Sequence, residues 1–141
     1  MIPAAGDNLK LKAEDAEDFG ILAACLQDAL VPVGDMNFDA AAREFVLLAN
    51  RFRWEDGARA GERVHCAVHF SGVGAVRRRG FDLRERGRVL DLLTIEVAAG
   101  AVTLLFAENA AIRLEGPEIG GRLRDLGDPW PAAAAPRHPA A

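Results

Sequence analysis

The chain predicts an α+β domain: a curved, largely antiparallel sheet of roughly seven or eight strands with one amphipathic helix near its N-terminus. Three observations carry that expectation. Helical periodicity occurs once, early, in Phe19, Leu22, Leu26 and Ala29. From Val33 onward, short alternating runs are broken by glycine, asparagine and aspartate, as in strands joined by turns. The run 44–55, EFVLLANRFRWE, is the most strand-like segment of all.

Residues 1–8 are expected to be a flexible lead-in. Leu9 and Leu11 then alternate with Lys10 and Lys12, the pattern of a short half-buried strand. Glu14, Asp15, Glu17 and Asp18 fall where a helix N-terminus favours negative charge, so the helix dipole accounts for them without a catalytic role. Ile21, Cys25 and Leu30 widen the apolar stripe, predicting roughly four turns packed on a sheet. Pro32 ends them, because the residue before a proline is pushed out of helical geometry.

Residues 33–38 are expected to pair with 44–54 through a turn at 39–43. Phe45, Leu47 and Ala49 alternate with Val46 and Leu48, which predicts a central strand covered on both faces. In its second half Phe52 and Trp54 are assigned to the core, and Arg51 and Arg53 to solvent. A polar loop follows at 55–61. Val64, Cys66, Val68 and Phe70 then alternate with His65, Ala67 and His69 in a half-buried strand.

The sequences FSGVGAVR (70–77) and FAENAAIR (106–113) match at identical spacing and predict hairpins at 71–74 and 107–110. A duplication and chance convergence of strand–turn–strand sequences account for the match equally well. Further strands are expected at 75–81, 89–97, 101–107 and 110–115, with a polar loop at 82–88. Residues 119–126 fit either a strand or a short helical turn, and 132–141 lack the apolar content to pack, predicting a disordered tail after a single domain at 9–131. Short turns between consecutive strands favour a meander. A partly closed, pleckstrin-homology-like barrel with the helix covering one end is the alternative topology.

Half of the 141 residues, 50%, are apolar and 27% are charged, enough for one independently folding core. No apolar run approaches the roughly 20 residues that span a bilayer, and the first residues lack a basic and then apolar leader pattern, so a cytoplasmic location is expected. Cys25 and Cys66 lie in apolar stretches and read as reduced, buried thiols. The net charge of −4 conceals a polarity: residues 51–88 hold ten arginines and five acids, a net of +5 that leaves −9 elsewhere. Such a patch suits an anionic partner, although charge runs are commonly solvated surface.

Catalytic signatures are sparse. His65, Cys66 and His69 are metal-binding types, but on a strand the two histidines stand about 13 Å apart and Cys66 faces the other way, so neither metal nor cofactor is expected. There is no tyrosine, Ser71 is the only serine, and no nucleophile elbow, phosphate loop or dinucleotide fingerprint occurs. Asp28, Asp35, Asp39, Glu55 and Asp56 could line an acidic cleft, but the favoured reading is of solvated turn and loop acids. The candidate contact residues are Arg51, Arg53, Arg77 and Arg79, which form an arginine surface for phosphates or carboxylates if their strands are neighbours.

The stretches LKLKAEDAED, CLQDALVPVGDM, FVLLANRFRWE, RVHCAVHF and RLRDLGDPWP together resemble a family of small alphaproteobacterial proteins, domain-of-unknown-function family 2948, over residues 9–131. The resemblance implies a stand-alone single-domain bacterial protein and transfers no activity, cofactor or residue role. The functional expectation is therefore a non-catalytic binding or assembly module acting through protein contacts or self-association. An anion or RNA binder using the arginine face is the first alternative, and an enzyme with an acidic cleft the second.

Overall fold

The computed structural model describes residues 8–54 and 61–132, so the expectations for 1–7, 55–60 and 133–141 fall outside the described residues. Among the described residues are ten strands, one α-helix and a short 3-10 turn at Val33–Asp35, the strands and helix running in the order β1 (Lys10–Ala13), α1 (Ala16–Cys25), β2 (Leu30–Pro32), β3 (Met36–Asp39), β4 (Glu44–Phe52) and β5 (Glu62–Ser71). Then come β6 (Ala75–Arg79), β7 (Val89–Ala98), β8 (Ala101–Phe106), β9 (Ala111–Glu115) and β10 (Gly120–Pro131). All pairings are antiparallel, in the order β1-β10-β5-β4-β2-β7-β8-β9-β6, with β3 also on β4. Among the described residues β1 and β6 do not pair with each other, so the curved sheet is not closed.

The chain is not a simple meander. β3-β4-β5 and β7-β8-β9 are local meanders, but β5 leads to the far edge at β6, and β9 leads back to β10 beside β5. The segment 71–74 is thus a corner, in place of the hairpin its glycines predict. Gly72 takes φ 75°, and a Cβ there would lie 2.2 Å from the Glu118 carbonyl oxygen. Val73 N–H donates to Arg43 O at 2.9 Å and Gly74 N–H to Glu115 O at 2.7 Å, which ties the corner to β4 and β9 and away from β5. The segment 107–110 is a true hairpin, turning on Glu108 and Asn109 at φ 63° and 61°. The two matching octapeptides meet, because their equivalent arginines Arg77 and Arg113 are cross-strand partners.

The acids before the helix act as its cap. The Asp15 side chain accepts from Asp18 N–H at 2.8 Å, satisfying a donor the helix leaves unpaired, and the Asp18 carboxylate reaches back to accept from Glu14 N–H at 3.2 Å. The helix ends at Cys25, about one turn before the periodicity predicts. Asp28 takes φ 62°, and residues 30–32 pair with β4 and β7 as a strand. The periodicity overruns the helix because Leu26 and Ala29, at 1% and 0% exposure, still face the core after the backbone has left it.

One apolar cluster fills the concave side of the sheet and draws on α1 and on strands from β1 to β10. Phe19 stacks parallel on Phe70 at 6.5 Å, over Gly121, where a Cβ would come within 2.9 Å of Phe19 Cε1. The convex side of β4 is open: Leu48 is 43% exposed and Val46 only half-buried, so the strand is covered on one face along its first half. Residues 119–126 take the strand form of their two alternatives, entering β10, which carries an irregularity between Leu126 and Trp130. No described helix is long and apolar enough to cross a membrane.

Candidate anion-binding face

The four arginines singled out from the sequence do not converge. Arg51 and Arg53 are 0% and 2% exposed and form no solvent face. The reason is parity: Phe45, Leu47 and Ala49 point inward, and Arg51 and Arg53 continue the same alternation. Arg51 donates from Nε to Asp125 Oδ1 at 2.8 Å and from Nη2 to Asp125 Oδ2 at 2.7 Å. Asp125 also accepts from Leu9 N–H at 2.9 Å, and its own N–H donates to Leu9 O at 3.0 Å. Arg53 is held by Glu62, through backbone N–H to Glu62 O at 2.9 Å and Nη1 to Oε1 at 3.2 Å. On the opposite face Phe52 packs on Trp54, whose indole N–H donates to Gln27 O at 2.7 Å. Both sides of the strand end are therefore covered.

Arg77 and Arg79 are exposed on β6, at the sheet edge four strands beyond β2 in the pairing order. Arg77 faces Arg113, and Glu115 bridges them, accepting from Arg77 Nε at 2.9 Å and from Arg113 Nε at 3.0 Å. The Arg77 hydrogen bond, then Arg113, holds the Glu115 carboxyl below its ordinary range. Glu96 lines the same shallow groove of about 490 Å³, so acids offset this arginine cluster.

A second basic surface emerges from the register alone. On the convex side, Lys10 of β1 stands opposite Arg124 of β10, which stands opposite Ala67 of β5 and then Leu48 of β4. In the neighbouring row Lys12 stands opposite Arg122, then His69 and Val46. Lys10, Lys12, Arg122 and Arg124 are all exposed and form a rectangle. Its sides are about 5 Å across strands and about 7 Å along them. Among the described residues Lys12 is the one member with an ion pair, to Glu14 at 2.9 Å. Arg122, Arg124, His69 and Ala67 line a depression of about 250 Å³. Beside it a cavity of about 430 Å³ is lined by Pro32, Leu48, Asn50, His65 and Leu126.

Among the described residues the other candidate groups form no metal-binding cluster. His65 is exposed and its ring lies 4.5 Å from that of Trp130; His69 Nδ1 is 3.9 Å from Glu44 Oε2. Cys66 points inward beside the Arg51–Asp125 pair, and burial pushes its thiol up to about 12 despite the opposing pull of Arg51. Asp39 Oδ1 accepts from Ala42 N–H in its turn, Asp28 is buried at 6% exposure, and Asp35 lines the cavity beside His65; Glu55 and Asp56 lie outside the described residues. A cavity of about 580 Å³ gathers Glu14, Asp15, Ser71 and Glu118 without a histidine. Asp15 there is committed to the helix cap.

The fold and its surface define a small open-sheet α+β protein with a cationic convex face. The chain belongs to the family described as protein of unknown function (DUF2948), whose model matches residues 9–138. No curated protein and no solved structure matches it.

Proposed function

We propose that this protein is a non-catalytic binding module that takes an anionic partner on the convex face of β1, β10 and β5. The observation that carries this reading is the rectangle of Lys10, Lys12, Arg122 and Arg124, all exposed, of which Lys12 alone is ion-paired among the described residues. Like charges set side by side raise each other's energy, so a partner anion relieves repulsion as well as adding attraction. Arginine forks favour phosphate and carboxylate oxygens, and the adjoining Val46, Leu48 and Ala67 supply apolar contact. A cytoplasmic bacterial setting is part of the same proposal, supported by the buried thiol of Cys66, which suits a reducing compartment.

Retention on heparin resin tests the reading. The wild-type chain is expected to bind at low salt and elute as salt rises, and Arg122→Ser/Arg124→Ser to pass through. Arg77→Ser/Arg79→Ser should elute with the wild type. Loss of retention in that second variant alone would move the site to the other edge of the sheet.

A further inference from the structure

Resting on that reading, we propose that the anionic partner is a single-stranded nucleic acid, with phosphates on the Lys10, Lys12, Arg122 and Arg124 rectangle and a base stacked on the His65–Trp130 ring pair. His65 is the register partner of Leu126, two residues beyond Arg124 on β10, so the rings continue the line that Arg122 and Arg124 begin. The step from Arg124 to Leu126 is about 7 Å along the strand. The rings touch at 4.5 Å with their planes 47° apart, while His65 is exposed and Trp130 half-buried, so aromatic surface remains accessible at the end of the cationic row. Neither ring packs into the apolar cluster.

A cationic row ending in accessible rings is the pairing of features that unpaired strands use. Phosphates track the charges, and bases, whatever their identity, offer a face to stack. A duplex keeps its bases inside its own stack and reaches only the cations. An acidic peptide satisfies the cations through carboxylates and has no general need of the rings. The ring pair is therefore what discriminates among anions.

Trp54 and Trp130 are the two tryptophans, so Trp54→Phe leaves Trp130 as the sole indole reporter. In that background, titration with a short oligouridylate is expected to quench Trp130 fluorescence, whereas inorganic polyphosphate and polyglutamate are not. Trp130→Ala in the otherwise wild-type chain should weaken oligouridylate binding about tenfold or more, the loss of one stacked base, and leave polyphosphate binding unchanged. If Trp54→Phe fails to fold, the Trp130→Ala comparison decides alone. Equal binding of oligouridylate and polyphosphate, with no effect of Trp130→Ala, would overturn the nucleic-acid assignment while leaving the anion-binding reading standing. Preference for polyglutamate would also overturn it. Binding of none of the three would remove both.

Discussion

Arg51 and Asp125 form a two-pronged ion pair across an intervening strand: Arg51 is on β4, Asp125 on β10, and β5 runs between them. Their side chains are 0% and 1% exposed, and the Asp125 carboxylate also holds the Leu9 N–H at the start of β1. One carboxylate thus joins three segments far apart in sequence. Removing it takes a two-pronged counter-charge from a buried guanidinium and the acceptor from the Leu9 amide. Asp125→Ala is expected to cost about 3–5 kcal/mol in urea unfolding, and Arg51→Lys less, since a lysine keeps the charge but loses the fork.

Cys66 lies beside this pair, opposite Asp125 on β10 and Ala49 on β4. Burial raises its thiol from the ordinary 9.0 to about 12. A disulfide reagent at mildly alkaline pH should therefore titrate Cys25, which is partly exposed, and reach Cys66 only after unfolding. The same shift sets a sign. Between pH 9 and about 12 the unfolded chain releases this proton while the folded chain keeps it, so this thiol lowers stability as pH rises through that window.

Two glycines should respond to alanine in opposite directions. Gly20 is exposed inside α1, and a Cβ added there would meet nothing within 4 Å, so Gly20→Ala is expected to stabilise by about 0.5–1 kcal/mol. At Gly121 the added carbon would meet Phe19 at 2.9 Å and Leu22 at 3.3 Å. Gly121→Ala should then cost about 1–3 kcal/mol and displace α1 from the sheet, visible as a lowered melting temperature and altered Phe19 ring shifts.

Glu115 is the counter-ion between Arg77 and Arg113. Because its folded-state value lies below the ordinary 4.5, its contribution is present at neutral pH and is lost as pH falls through the folded value. Solvent screening at this surface position keeps that contribution small. Carboxyl NMR titration should find Glu115 below the unfolded range, and Arg77→Gln should bring it back toward 4.5.

Much of the fold is legible in the sequence because local chemistry dictates it. The acids that cap α1, the alternation of Val64, Cys66, Val68 and Phe70, and the Glu108-Asn109 turn each act over a few residues. What escapes a sequence reading is non-local. The parity of Phe45, Leu47 and Ala49 already places Arg51 inward, but an arginine reads as exposed until its partner is known, and Asp125 lies 74 residues away. The corner at 71–74 resembles a hairpin because glycine serves both, and only pairing with β9 tells them apart. The cationic rectangle is hidden for the same reason: Lys10 and Arg124 lie near opposite ends of the chain and become neighbours through the β1–β10 register.

Four cations on one sheet face bind an anionic strand in this account, and the salt dependence of oligouridylate affinity counts them directly. With all four engaged, log K should fall against log salt concentration with a slope of roughly −3, and Arg122→Ser/Arg124→Ser should halve it to roughly −1.4. A slope near zero, or one that this double substitution leaves unchanged, would contradict the account.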